Sequence, residues 1–329
     1  MLTKTSLPEQ ANLLLLQREQ MSRSRYVGLL QLRQQDQRLV SHLRILRQGQ
    51  SVRESTDSPW LHWLLQPTEQ LPVLLQAELS ACFRAYLWQL KAYFQQFPVT
   101  PAVLQQLQLE PASDTGWLLA QHCPEHFQPA LGQLPLTLAP ADFLATFRAR
   151  ELFHQQMSSW QAAVEQLSSQ QSGSLQQLAM LMMQASPQQK QAIINLLSNK
   201  QDHGITMLAM ALSGQFKYLS VIADLARDIT WSEVAADSLT IMLGVLAADA
   251  VIADGLTASD PAYLQHAFQR SGAVFAQEHA AAALLEQLWL HGNQLQRQLA
   301  SIKAALQWSA VPVLNCSSLW GGAWHTVFA

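Results

Sequence analysis

Charge is scarce in this chain of 329 residues: Asp, Glu, Lys and Arg together make up 13% of it, about half of what a soluble domain usually carries. Glutamine fills much of the gap, a good helix former that keeps a solvent face polar without charge. Cysteine is scarcer still. Cys82, Cys123 and Cys316 lie far apart with no CxxC pair, which excludes a disulfide framework and fits a reducing compartment. Long hydrophobic runs are missing too. The longest, around Ile241 to Ile252, is broken by Asp249 and is shorter than a membrane span. The opening MLTKTSLPEQ lacks the apolar run of a signal peptide. The expectation is a cytoplasmic protein with no membrane partner. No GxSxG elbow, P-loop, GxGxxG or HExxH occurs, so neither a cofactor nor an enzyme is expected. The net charge of -3 runs against a dedicated nucleic-acid binder.

What the chain does have is apolar residues, 49% of the total, enough for a substantial core. Their spacing is helical, and strand alternation is nearly absent. Helices are expected over residues 9–21 and 25–47, a long one over 71–97, shorter ones to 135 and another long one over 140–167. In the 71–97 helix Leu75, Leu79, Tyr86, Leu90 and Phe94 mark the core face. Proline after a capping residue marks further starts at Thr100-Pro101, Ser186-Pro187 and Asp260-Pro261. Thr230 with Glu233, and Ser186 with Gln189, read as capping boxes, and Asp202-His203 as a capped start.

The segment SSQQSG at 168–173 is a break. Beyond it Leu181, Leu212 and Leu243 recur every 31 residues on short helices, the mark of a helical solenoid. The expected architecture is all-α: a helical N-terminal domain (1–167), a short HEAT-like α-solenoid, or α-α superhelix, over 174–310, and an aromatic tail (311–329). That tail either caps the last repeat or serves as a docking peptide; the cap is preferred because solenoid ends need covering.

Charge is also unevenly placed. Eight arginines between Arg18 and Arg53 face only Glu19 and Asp36, and seven acids between Asp224 and Asp260 face only Arg227. Such runs are either solvated faces or opposite poles that steer self-association or a charged partner. The 25–47 helix singles out three residues. Asp36 falls on the stripe of Leu29, Leu32, Leu39, Leu43 and Leu46, where a carboxylate needs an arginine or a helix N-terminus beside it. Arg38 and His42, one turn apart, are candidates for an anion-binding or partner-binding surface. His122, Cys123 and His126 form an HCxxH cluster, but Pro124 between them starts a new helix, so no metal site is expected.

The stretch LLLLQREQMSRSRY followed by LLQLRQQDQRLVSHLRILR resembles the start of a bacterial family of uncharacterised HEAT-repeat proteins. Its members begin with a helix ending Leu-Leu-x-Arg, matched by Leu14 to Arg18, and continue with a helix matched by Asp36, Arg38, Leu39, His42, Leu43 and Leu46, with Gln35 in place of the usual leucine. The segment FKYLSVIADLARDITWSEVAADSLTIMLG is similar to the family's closing repeat through Ala235, Ala236, Leu239, Ile241 and Gly244, with Leu243 in place of the usual threonine. The resemblance implies a non-enzymatic protein-binding scaffold or adaptor, accessory to type VI secretion or its effectors. An immunity protein that neutralises a toxin, and a nucleic-acid-binding regulator acting through the N-terminal arginines, are the alternatives.

Overall fold

The structure is a computed structural model that describes residues 6–48, 61, 64–65, 83, 86–87, 89–91, 93, 161, 164–165, 167, 174–308, 313–314, 316–317 and 319. The regular elements among the described residues are helical, and no strand occurs there. The chain forms two compact units. One comprises residues 1–138 with 314–329, and the other residues 139–313. The division therefore falls near residue 138 rather than at the SSQQSG break. No helix among the described residues is long and apolar enough to cross a membrane.

In the first unit, α1 (Leu7–Arg23) opens on a capping box. The Ser6 hydroxyl accepts from the Glu9 amide and the Glu9 carboxylate accepts from the Ser6 amide at 2.7 Å, which satisfies backbone donors that the first turn leaves open. Helix α2 (Leu29–Gln48) starts four residues later than its apolar spacing predicts. Ser24–Gly28 turn instead, held where the Ser24 hydroxyl accepts from the Tyr26 amide and Gln31 Oε1 accepts from the Gly28 amide. Leu15 of α1, Leu39 and Leu43 of α2, Leu61, Leu64, Phe83, Tyr86 and Leu90 build one buried cluster. Each such leucine contributes about 1.5–3 kcal/mol by leaving water. Of the expected 71–97 core face, Tyr86 and Leu90 are buried, and Leu75, Leu79 and Phe94 lie outside the described residues.

The C-terminal segment joins this unit. Leu319 packs against the cluster and its amide donates to Gln89 Oε1 at 2.8 Å. This differs from a tail that caps the last repeat: the apolar side chain finds its cover on the N-terminal leucines.

The second unit contains α3 (Ser174–Gln184), α4 (Pro187–Asn199), α5 (His203–Leu212), α6 (Leu219–Leu225), α7 (Ser232–Leu243), α8 (Val245–Asp254), α9 (Pro261–Arg270), α10 (Gly272–Ala276), α11 (Ala282–His291) and α12 (Gln294–Gln307). Side-chain caps explain several starts: Ser186 with Gln189 at α4, Asp202 at α5, Asp260 at α9 and Asn293 with Gln296 at α12. The Thr230–Glu233 box does not form. The Thr230 amide donates to Asp228 instead, and α7 begins at Ser232 without a side-chain cap. Thr100-Pro101 lies outside the described residues.

Leu181, Leu212 and Leu243 are buried on α3, α5 and α7, and α5 packs against both α3 and α7. Helices α4, α6 and α8 each lie on a member of this row. The last helix then does what a one-dimensional stack does not: α12 packs against α3, α7, α10 and α11 together. Ten of its fourteen residues are buried, which makes it a central element rather than an end. The five-residue α10 sits among α3, α5, α7, α9 and α12. Ser271 at its start donates to the Ile241 carbonyl at 2.7 Å and accepts from Gln296 Nε2 at 2.9 Å, which ties α7 to α12.

Candidate functional site

The three residues that the sequence singles out do not converge. Asp36 is fully buried. Its Oδ1 accepts from Arg18 Nε at 2.6 Å and from the Tyr86 hydroxyl at 2.8 Å, and Oδ2 accepts from Arg18 Nη2 at 3.5 Å. The same guanidinium lies 4.5 Å from the Tyr86 ring centroid and donates to the Ser317 carbonyl at 3.3 Å. Burial, and next the Asp36 carboxylate, push the Tyr86 phenol well above its ordinary 10.0, with Arg18 pulling the other way. The hydroxyl therefore stays protonated and donates. A carboxylate occupied in this way is a structural tie between α1, α2, the Tyr86 segment and the C-terminal segment; it is not available as a general base. Arg38 is exposed, and the Arg38 carbonyl lies 2.9 Å from Nδ1 of His42. Nδ1 of His42 is thus engaged with its own helix.

His122, Cys123 and His126 lie outside the described residues. Among the described residues no three His, Cys, Asp or Glu side chains come together as metal ligands.

In the second unit the centre holds two lysines that the sequence reading passed over. Lys190 on α4 and Lys303 on α12 are both buried. Lys190 Nζ donates to the Ala276 carbonyl at 3.4 Å, and Lys303 Nζ to the carbonyls of Gln277 and Glu278. These carbonyls end α10, where a cation complements the helix terminus. Burial lowers the pKa of Lys190. Burial, then the charge of Lys190, lower Lys303 to about 8 against an opposite pull from Glu278. The signal was present in the spacing: Lys190 precedes Ile193, Ile194 and Leu197 on the apolar face of α4. An amine that loses its proton near pH 8 meets one requirement of a nucleophile, but both amines here are engaged with backbone carbonyls. They act as a clasp on α10.

The clasp has a pH signature. An unfolded lysine titrates near pH 10.4, and Lys303 in the fold near 8. Between those values the unfolded chain holds the extra proton, so this group's contribution to stability rises with pH. Urea denaturation of the protein and of Lys303→Met at pH 7 and pH 10 is expected to show the difference moving in favour of lysine by about 1–3 kcal/mol. An unchanged difference would mean that the ammonium is not desolvated.

Two surfaces remain. On α2 the outward side carries Leu30, exposed by 67%, and Ile45, among the exposed Arg33, Arg38, Arg44 and Arg47. The sole acid of α2, Asp36, is turned inward. In the second unit only Gly244 separates α7 from α8, and the two helices pack together as a hairpin. The guanidinium of Arg227, before α7, reaches Gly255, after α8: a Cβ placed on that glycine would sit 3.2 Å from it. The α6–α7 loop and the end of α8 are thereby neighbours. That end of the hairpin exposes Ile229, by 92%, and Ile252, together with Asp224, Asp228, Glu233 and Asp254.

Neither a protein-family model, nor a curated protein, nor a solved structure matches this chain.

Proposed function

We propose that the chain is a non-enzymatic protein-binding scaffold or adaptor, in which a short HEAT-like row, α3 to α8, is closed by α12. The observation that supports it most is the hairpin end just described. That end exposes Ile229, by 92%, and Ile252 together with four acids, and so combines apolar anchors with charge, the composition of a protein-docking patch. The buried polar groups point the same way: Asp36 and the two lysines are engaged in structural bonds. An accessory role in type VI secretion rests on the family resemblance of the α1–α2 motif and of the segment from Phe216 to Gly244. A second reading, nucleic-acid binding, draws on the arginines of α2; the leucine and isoleucine between them favour protein, because phosphate contacts need no apolar neighbour.

A photoreactive residue placed at position 229 of the full chain tests the proposal in cells of the source. The expected result is covalent protein adducts that fade when Asp228→Lys and Asp254→Lys are added. No adduct, or adducts indifferent to those charges, would overturn it.

A further inference from the structure

The clasp on α10 leaves donors unused. Lys190 on α4 and Lys303 on α12 are 5% and 2% exposed, and neither forms an ion pair with another described residue. A buried charge without a counter-charge is costly. The carbonyls of the clasp answer only part of that cost. Lys190 reaches one, that of Ala276, at 3.4 Å. Lys303 reaches those of Gln277 and Glu278, the second at 3.5 Å. An ammonium carries three N–H groups and no acceptor, so both amines keep N–H groups that these bonds do not fill.

The two amines bracket one peptide unit, because their partners include the carbonyls of the successive residues Ala276 and Gln277. Burial first, and then Lys190 itself, lower the pKa of Lys303, which places the two amines within each other's field. The same peptide unit opens a strap, Gln277 to His279, whose residues are exposed. The strap is fixed at both ends. Ala276 lies against the turn after α5, where a Cβ on Gly214 would sit 1.9 Å from the Ala276 Cβ. At the other end the Ala280 amide donates to Gln307 Oε1 at 2.9 Å, and the Ala280 carbonyl accepts from Gln307 Nε2 at 3.0 Å. Two like charges are thus held together beneath a short exposed strap. Glu278, the one acid of that strap, is itself exposed and makes no ion pair with either lysine.

We infer that Lys190 and Lys303 form a binding site, beneath the Gln277 to His279 strap, for a small oxyanion of the phosphate class. Its oxygens accept from the N–H groups that the carbonyls leave over, and its charge offsets the repulsion between the amines. The carbonyls already hold both amines in place, so binding has little order to create. A doubly charged anion suits two cations better than chloride or a carboxylate, because the attraction scales with the charge. The site is separate from the hairpin end, and neither the protein-binding reading nor this inference depends on the other.

Calorimetric titration of the full chain with inorganic phosphate, at pH 7 in a buffer free of other oxyanions, tests it. Saturable binding is expected, with a Kd of about 1 mM or tighter. Lys190→Met and Lys303→Met are each expected to weaken it at least about tenfold, and Lys217→Met, on the surface, to leave it unchanged. Phosphate is also expected to raise the melting temperature of the natural chain more than sodium chloride does at equal ionic strength. Heats that never saturate, or a rise that chloride reproduces, would overturn the inference. Acetate binding as tightly as phosphate would overturn it in favour of a carboxylate, and full phosphate binding by a folded Lys303→Met protein would place the anion elsewhere. Hydrogen exchange on the natural chain keeps the site testable if a methionine variant does not fold. Phosphate is expected to slow exchange in residues 276–281 and not in α1 or α2, and an unchanged strap would refute the site.

Discussion

Arg18→Met is expected to lower the unfolding free energy by about 3–5 kcal/mol, because it leaves the Asp36 carboxylate buried without its cation. Arg18 and Asp36 are each at most 1% exposed, so water cannot replace the lost bond. The Tyr86 hydroxyl remains as a donor to Oδ1, but a neutral donor offsets only part of a desolvated charge. The paired variant Arg18→Met, Asp36→Leu removes both charges and is expected to be less damaging than the single one, since replacing a buried ion pair by apolar groups of similar size is often close to neutral. Equilibrium denaturation of the natural protein, both single variants and the pair closes a double-mutant cycle. A pair at least as costly as the sum of the singles would mean that the two side chains act independently. The same guanidinium donates to Ser317, so loss of Arg18 is further expected to speed proteolysis of the C-terminal segment.

Gly214→Ala is the other change with a large expected effect, about 2–5 kcal/mol. Gly214, in the turn after α5, has a φ of 69° and would place a Cβ only 1.9 Å from the Cβ of Ala276 at the end of α10. Left-handed backbone alone costs a side chain about 1–2 kcal/mol; the collision with the half-buried Ala276 adds overpacking strain of about 1–3 kcal/mol. Ala276→Gly in the same chain relieves the collision and leaves the backbone cost, so the double variant is expected to recover roughly half the loss. Thermal unfolding of the set measures it. Full retention of stability by Gly214→Ala would show that α10 does not press on this turn as described.

The sequence carried some features more clearly than others, for physical reasons. Helical spacing located the α2 stripe, because Leu32, Leu39 and Leu43 can be buried only on one side. It also predicted that a carboxylate at 36 needs a compensating group there. It could not say that the tyrosine fifty residues later completes the arrangement, because that pairing is set by how distant helices meet. Local rules located the caps at Ser186 and Asp260. They misjudged Thr230, whose amide donates to the Asp228 carboxylate and so is taken from the Glu233 carboxylate that the box requires. The lysine clasp went unread because lysine ordinarily marks a solvent face; only the path of α12 through the centre makes Lys303 internal. The charge runs were plain in the sequence. That their acidic members include two joints of one hairpin, brought together by Arg227 and Gly255, was not.

That hairpin also supplies its own control. Leu246, at the opposite end of α8 from Ile252, is 82% exposed, yet none of the four acids around Ile229 accompanies it. Exposure alone would make positions 229 and 246 equally reactive. The most direct measurement is the yield of protein adducts from the same photoreactive residue placed at each position in the full chain. Abundant adducts from 229, lost at high salt, and few from 246 are expected. Equal yields from the two positions, or a yield from 229 that salt leaves unchanged, would contradict it.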